Sequence, residues 1–221
     1  MEEVDLLKYE KELYKEGITL IAGTDEAGRG PLCGPVVAAA VILPKNYTLE
    51  GLIDSKQLSE KKRDKFYDII VKDAISYAVG IVDAKTIDKI NIYEASRKAM
   101  LEAIEGLSVK PEYVLTDAMP LPMENSKAII HGDALSLNIA AASVIAKVTR
   151  DKMMYELDEK YPMYGFKDHK GYPTKKHLEA IKKYGILDNY RLTYKPVKAL
   201  MEVNDDCLLY TSPSPRDRTR S

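Results

Sequence analysis

The pattern of hydrophobic and polar residues along this 221-residue chain predicts alternating helices and strands. Helix-like periodicity and capping residues predict helices at 2–16, 59–72, 84–107, 135–160, 174–184 and 196–203. Apolar runs bounded by turn residues predict strands at 18–25, 36–43, 74–82, 112–117 and 128–130. Strands at the start, followed by helix and strand alternation, predict one α/β domain whose mixed central sheet is flanked by helices, with a C-terminal helical extension.

Two changes of character divide the chain into three parts. Residues 1–17 are expected to form a short surface helix that ends at Gly17. Residues 18–203 are expected to form the single domain, including its C-terminal helical region. Residues 204–221 have no periodic apolar face and end in a run of serine, proline and arginine. We expect this segment to be a disordered, non-native tail that arose by read-through from an adapter sequence.

Charge and cysteine content narrow the class of protein. The chain has 33 Lys and Arg against 34 Asp and Glu, so a uniformly basic nucleic-acid binder is excluded. The charge is unevenly distributed: residues 1–142 have 17 basic and 23 acidic side chains, whereas residues 143–198 have 13 and 7. Cys33 and Cys207 are far apart and form no CxxC pair, which argues against a disulfide scaffold or a zinc ribbon.

Localisation is predicted from two features that we do not find in the sequence, a membrane-spanning apolar run and a secretory signal. The longest apolar run, 35–44, has about half of the ~20 residues that a membrane-spanning helix requires. Three of the first five residues are acidic and none is basic, whereas a secretory signal begins with basic residues. We therefore expect a cytoplasmic protein that does not bind membranes. Separately, we expect a monomer.

Four acidic residues stand at strand ends or beside glycine within apolar sequence: Asp25, Glu26, Asp117 and Asp133. Carboxylates that meet at the ends of neighbouring strands repel one another, and a divalent cation relieves the repulsion. Oxygen-only ligands favour Mg²⁺ or Mn²⁺. Each acid taken alone is more typical of a turn or a cap than of a metal site, so the metal interpretation depends on the whole set.

Residues 23–35, GTDEAGRGPLCGP, form a glycine-rich turn after the first predicted strand. A dinucleotide-binding GxGxxG motif that starts at Gly28 would need glycine where Cys33 stands, and the lysine of a phosphate-binding P-loop is missing. Such a loop nevertheless exposes backbone N–H groups to a phosphate or a hydroxyl, and Arg29 can reach an anion.

Several motifs in the same order make the sequence similar to the ribonuclease HII family, the type 2 ribonucleases H of bacteria. The resemblance covers residues 20–198 and includes DEAGRG at 25–30, DSK at 54–56, Asp117, Gly132-Asp133, AAASVIAKVTRD at 140–151 and HKGYPT at 169–174. It implies an RNase H-like fold and an endonuclease that hydrolyses RNA in RNA–DNA hybrids. It also implies incision 5′ to ribonucleotides embedded in duplex DNA, with roles in ribonucleotide excision repair and DNA replication.

The resemblance also assigns site residues. Asp25, Glu26, Asp117 and Asp133 match the four metal-binding, catalytic carboxylates, which would use two Mg²⁺ or Mn²⁺ ions and leave 3′-hydroxyl and 5′-phosphate ends. The family's substrate contacts match Gly28, Arg29 and Gly30 for the 2′-hydroxyl and the junction phosphate, Tyr172 for the following deoxyribose, and Lys56 for the backbone. One departure is His131, which stands where the family has lysine.

Other residues near these motifs have competing interpretations. Asp151 is expected to pair locally on its helix, and His177 to be structural. Lys175, Lys176, Lys182 and Lys183 form either a solvated helix face or, because they adjoin Tyr172, a surface that follows a nucleic-acid backbone.

Two rival functions remain open at this point. One is a different nuclease of the same fold, such as a junction resolvase. The other is a hybrid-binding module without catalytic activity.

Overall fold

The structure, a computed structural model, describes residues 5–52 and 58–209. Its helices are α1 (Lys8–Lys15), α2 (Glu60–Asp73), α3 (Ala84–Glu105), α4 (Leu137–Lys160), α5 (Phe166–His169), α6 (Lys175–Tyr184) and α7 (Lys195–Leu209). Its strands are β1 (Ile21–Ala27), β2 (Val36–Ile42), β3 (Ser76–Val82), β4 (Tyr113–Asp117) and β5 (Ser126–Ile129). In these described ranges no helix is both long enough and apolar enough to cross a membrane.

The strands form one mixed sheet in the order β3-β2-β1-β4-β5. β2 is antiparallel to both β1 and β3, whereas β1, β4 and β5 run parallel to one another. Helices cover both faces, and α5, α6 and α7 follow as the C-terminal helical region. The predicted α/β architecture, a mixed sheet flanked by helices with a C-terminal helical region, is therefore confirmed.

The two faces of β2 pack against different helices because its side chains alternate between them. Ala38 and Ala40 face the cluster that contains α3, whereas Ala39 and Val41 face the cluster that contains α4. All seven β2 residues are buried, which explains the continuous apolar run at this position in the sequence. β1, the neighbour of β2 in the sheet, also packs against α3 and α4, which positions its C-terminal end.

Some element boundaries differ from the prediction for identifiable reasons. β1 begins at Ile21 and not at residue 18, because the backbone N–H groups of Thr19 and Leu20 donate to the Glu112 carboxylate and are not paired in the sheet. The predicted helix at 84–107 is interrupted at Asn91, whose φ of 66° is left-handed. The Asn91 side chain caps the following segment by accepting from the N–H of Glu94.

The C-terminal helix is longer than predicted. α7 continues to Leu209, six residues beyond the expected end of the domain at Val203. No glycine or proline stands between Pro196 and Pro213 to stop the helix, although the apolar periodicity fades. The disorder expected for 204–221 stays a prediction, and residues 210–221 lie outside the described residues.

The N-terminal helix docks on the domain through a buried carboxylate. Glu10 of α1 is fully buried and accepts hydrogen bonds from the Ser136 hydroxyl at 2.6 Å and from the Asn138 side chain at 3.1 Å. These two residues stand at the start of α4, so Glu10 ties the N-terminal helix to the helix that crosses the sheet. Burial raises the pKa of Glu10, and hydrogen bonds from Ser136 and Asn138 only partly oppose this effect.

Replacement of Glu10 by glutamine is expected to change how stability depends on pH. The folded state raises the pKa of Glu10, so its carboxyl group favours folding at acidic pH and loses that contribution as pH rises through the folded pKa. Relative to the variant, the wild-type protein should therefore become progressively less stable from about pH 4.5 upward. Urea denaturation of both proteins across this range measures the difference. Glu12→Gln, at an exposed position of the same helix, is the matched control, and an equal pH trend in the control would contradict the prediction.

Candidate active site

Three carboxylates meet at one edge of the sheet. Asp25 lies near the C-terminal end of β1 and Asp117 at the C-terminal end of β4, and these neighbouring strands run parallel with Thr24 paired to Thr116. Asp133 lies in a short 3-10 turn that follows β5. One oxygen atom from each of Asp25, Asp117 and Asp133 can be chosen so that all three lie within 4.8 Å of one another. The structure thus brings together three of the four acids that the sequence singled out.

Two glycines allow the backbone to approach closely enough for this arrangement. At Gly23 of β1, a Cβ atom would lie 2.1 Å from the backbone carbonyl carbon of Asn138, so only glycine lets α4 cross the sheet here. The N–H of Gly132 donates to Oδ1 of Asp117 at 2.7 Å, which ties the turn that carries Asp133 to the end of β4. The preceding residue, His131, has a left-handed φ of 57° and is exposed.

The Asp25 carboxylate is buried beside other acidic side chains. Burial raises the pKa of Asp25 well above its usual range, and the neighbouring charges of Glu26 and Asp117 raise it further. Hydrogen bonds from the Ser143 side chain and the Glu26 backbone only partly offset these effects. A buried group whose ionised form is unfavourable is typical of functional sites.

Glu26 stands beside the three clustered acids and outside their tightest grouping. Its Oε1 accepts from Arg29 at 3.2 Å, while Oε2 is buried and has no hydrogen-bond partner among the described residues. Burial raises the pKa of Glu26, although Arg29 acts in the opposite direction. Glu26 therefore has one oxygen bonded to Arg29 of the glycine loop, residues 28–34, and one buried oxygen that is free to coordinate a cation.

The donor set fits Mg²⁺ or Mn²⁺. All the candidate ligands are carboxylate oxygens, which are the hard ligands that these ions prefer. The raised pKa of Asp25 and the unpartnered Oε2 of Glu26 are both relieved by positive charge at this position. These residues are therefore suited to hold divalent metal.

The predicted substrate contacts surround the same cleft, which has a volume of about 400 Å³. It is lined by the three residues of the loop 28–30, by Asp25, Glu26 and Asp117, and by Tyr172. Arg29, Gly30 and Tyr172 are exposed, and the Tyr172 ring lies so close to Gly30 that a Cβ there would be 3.2 Å from it. The remaining predicted contact, Lys56, lies outside the described residues.

A buried histidine holds the Tyr172 loop, which agrees with the structural role expected for His177. Burial lowers the pKa of His177 to about 4, so the ring is neutral at pH 7. Since the Tyr172 carbonyl can only accept, Nδ1 of His177 donates to it at 2.8 Å, and Nε2 accepts from the Tyr190 hydroxyl at 2.8 Å. These two hydrogen bonds hold the backbone of the loop that carries the exposed Tyr172.

Two cleft-lining cations were not singled out from the sequence. Lys147 and Arg63 both line the cleft. Asp151 pairs with Lys147 at 2.5 Å, one turn earlier on α4, and lies 3.8 Å from Arg63. The expected local pairing of Asp151 is therefore confirmed. The four-residue spacing of Lys147 and Asp151 was the available signal, whereas the contact with Arg63 depends on how α2 packs against α4.

Two fully buried arginines support the glycine loop, and sequence reasoning missed both. Arg150 of α4 donates to the carbonyls of Cys33, Pro35 and Lys170, which links the glycine loop to the loop that carries Tyr172. Arg191 donates to the carbonyls of Gly28, Arg29 and Gly34. Burial lowers the pKa of Arg150 to about 10, which still leaves it charged at neutral pH.

Comparisons with known proteins match most of the chain to one family. A sequence model of the family described as ribonuclease HII matches residues 22–197. A ribonuclease HII of Bacillus cereus is 56% identical over 200 residues, which cover 90% of this chain and 78% of the relative. The ribonuclease H2 of Pyrococcus horikoshii OT3 is 30% identical with a TM-score of 0.71, covering 83% of this chain and 97% of its own. The RNase HII in a PCNA complex from Archaeoglobus fulgidus is 28% identical with a TM-score of 0.66, covering 80% and 95%.

Proposed function

The chain belongs to the ribonuclease HII family and is a ribonuclease H endonuclease, and from this premise we propose its substrate and mechanism. We propose that it hydrolyses the RNA strand of RNA–DNA hybrids and incises 5′ to ribonucleotides embedded in duplex DNA. The observation that carries the proposal is a single cleft in which an acidic cluster adjoins an exposed glycine loop and an exposed tyrosine.

The acidic residues supply the site for phosphodiester hydrolysis. Asp25, Asp117 and Asp133 would hold divalent metal, with Glu26 beside them. Two ions, when bound, supply activation of a water and stabilisation of the leaving 3′-oxygen. The products would carry 3′-hydroxyl and 5′-phosphate ends, and no nucleophilic side chain is needed.

The glycine loop and Tyr172 supply recognition of the ribonucleotide. Arg29 and Gly30 are exposed, and the backbone N–H groups of such a loop can contact a 2′-hydroxyl or a phosphate. The face of Tyr172 is available to pack on the next sugar. Contacts of this kind read sugar and phosphate, so incision should not depend on base sequence.

A duplex DNA with one embedded ribonucleotide tests the proposal directly. We expect incision on its 5′ side in the presence of Mg²⁺ or Mn²⁺, none in chelator, and none on the all-DNA duplex of the same sequence. A four-way DNA junction assayed in parallel separates the junction-resolvase alternative. Binding of a folded protein to the ribonucleotide duplex with no cleavage in either metal would instead favour a non-catalytic binding module.

The basic face of α6 is expected to contribute salt-dependent affinity. Lys182 and Lys183 are exposed, and their helix directly follows the Tyr172 loop. If each contacts one backbone phosphate, replacing both by glutamate should weaken binding to any duplex and reduce the slope of log K against log salt by about two. The double variant Lys89→Glu with Lys98→Glu is the matched control. Both lysines are on α3, which packs on the sheet face opposite α4. Equal salt slopes for both variants would show that the α6 lysines are only a solvated face.

The expected monomeric state, the cytoplasmic location and the roles in excision repair and replication remain proposals. Light scattering of the purified protein at micromolar concentration would test the monomeric state. A mass close to that of one chain is expected, and a dimer would contradict it.

A further inference from the structure

The glycine loop is held from inside by the guanidinium of Arg191. Its Nη2 donates to the Gly28 carbonyl at 2.7 Å, and its Nη1 donates to the Arg29 carbonyl at 3.0 Å. Two further bonds, from Nε and Nη2, reach the Gly34 carbonyl at the far end of the loop. Arg191 is fully buried, so these carbonyls are hydrogen-bonded to its planar guanidinium, which has five donors, and not to water.

The direction of these bonds determines what the loop presents to the cleft. In a trans peptide unit the carbonyl of one residue and the N–H of the next point in opposite directions. Because the carbonyls of Gly28 and Arg29 point inward to Arg191, the N–H groups of Arg29 and Gly30 point away from it. Arg29 and Gly30 are both exposed and line the cleft. Two successive N–H groups that point the same way form a concave donor site for an oxygen atom.

We propose that Arg191 is a positioning residue that sets the preference of this site for a ribonucleotide, by fixing the peptide planes of the glycine loop so that two amides face the 2′-hydroxyl. The inference deepens the proposed function and rests on it for the identity of the ligand. Arg191 is fully buried and is not among the residues that line the cleft. It acts through the backbone of residues 28–30.

The surroundings of Arg191 keep its own position fixed. The Asp88 carboxylate accepts from the backbone N–H groups of Leu192 and Thr193, at 2.8 and 3.0 Å, and so anchors the segment to α3. The Tyr194 hydroxyl accepts from Nη1 of Arg191 at 3.0 Å and donates to the Arg29 carbonyl at 2.8 Å. The Arg29 carbonyl therefore has two donors, and its peptide plane is held from both.

Two variants and one control test the proposal in the full-length protein. Arg191→Lys keeps the charge but loses the planar fork that contacts three carbonyls. Tyr194→Phe removes one donor to the Arg29 carbonyl from a partly buried position and should leave the fold intact. Tyr164→Phe is the control, because it removes a hydrogen bond from a tyrosine hydroxyl to the backbone carbonyl of Gly185, outside the glycine loop.

The readout is the ratio of the affinities for two duplexes, which a loss of folded protein does not alter. Binding is measured in Ca²⁺, in place of Mg²⁺, for a duplex with one ribonucleotide and for the all-DNA duplex of the same sequence. Loss of folded protein lowers apparent binding of both duplexes equally, whereas a displaced loop lowers the ratio of their affinities. Steady-state incision in Mg²⁺ adds a second readout, in which KM should rise and kcat should be largely kept.

We expect the affinity ratio to fall about fivefold in Tyr194→Phe, the equivalent of one lost hydrogen bond, and about tenfold or more in Arg191→Lys. The ratio in Tyr164→Phe should equal that of the wild-type protein. An unchanged ratio in folded Tyr194→Phe would overturn the proposal, and so would a wild-type protein that shows no preference between the duplexes. A wild-type protein that prefers the ribonucleotide duplex but fails to cut it would overturn the proposed function and leave the role of Arg191 standing.

Discussion

Replacement of Asp25 by asparagine is expected to reduce metal-dependent incision by about a thousandfold or more. Asp25 is buried at the end of the central strand β1, and one of its oxygens groups with those of Asp117 and Asp133. An amide in its place removes a negative charge from the proposed metal centre and supplies a weaker oxygen ligand. Metal stabilisation of a phosphoryl transition state amounts to several kcal/mol, and each 1.36 kcal/mol is tenfold in rate.

The same variant is expected to be more stable than the wild-type protein when metal is withheld. Burial and the neighbouring acids raise the pKa of Asp25 in the folded state, so at neutral pH its ionised form opposes folding. Thermal unfolding at pH 7.5 in chelator should therefore show a higher midpoint for Asp25→Asn, and the difference should disappear near pH 4. A variant that merely loses structure would have lower incision and a lower unfolding midpoint. Lower incision together with a higher midpoint therefore identifies a functional carboxylate.

Asp188→Asn serves as the control for both measurements, because Asp188 is an exposed acid that lies outside the cleft. It should leave incision and the unfolding midpoint unchanged. Near-normal incision by Asp25→Asn, with protein shown to be folded, would mean that the metal assignment is wrong.

Gly23→Ala is expected to destabilise the protein by about 3 kcal/mol, which lowers the melting temperature of a domain of this size by roughly 10 °C. The added Cβ would lie 2.1 Å from the carbonyl carbon of Asn138 and 2.2 Å from the nitrogen of Ile139. Both are backbone atoms of α4, so no side chain can rotate away and the helix itself must move. Because α4 begins just after the turn that carries Asp133, incision should fall as well.

The matched control for Gly23→Ala is Gly106→Ala, at the end of α3. Gly106 has an ordinary φ of −74°, and an added Cβ there would come no closer than 3.2 Å to a neighbour. Thermal unfolding of the two variants is the comparison to make. Equal melting temperatures would show that α4 can shift on the sheet without a substantial free-energy cost.

The acidic cluster could be predicted from the sequence because it depends on local pattern and one topological rule. Asp25 and Asp117 each end a predicted apolar strand, and parallel neighbouring strands end at the same edge of a sheet. Asp133 stands beside Gly132 after a short predicted strand, and the resemblance to a family then assigned it to the metal site. The fold class followed from the order of strands and helices, which local periodicity is sufficient to establish.

The support for the glycine loop could not be predicted in the same way. Arg191 and Arg150 donate hydrogen bonds to backbone carbonyls. Every residue has such a carbonyl, so the sequence does not show which ones an arginine contacts. The late start of β1 similarly depends on Glu112, which reaches the N–H groups of Thr19 and Leu20 only after β4 has paired with β1. Interactions between a side chain and a distant backbone become visible only once the tertiary structure is known.

The pairing of β1 with β4 also has a consequence for the order of events in folding. Asp25 and Asp117 come from adjacent strands, yet β2, α2, β3 and α3 all lie between them in the chain. Their juxtaposition closes a long loop, and contacts of such sequence separation form slowly. If the carboxylates assemble after the rate-limiting step, divalent metal should slow unfolding while leaving the refolding rate nearly unchanged. Metal supply would then determine how long the folded enzyme persists and not how quickly it is made.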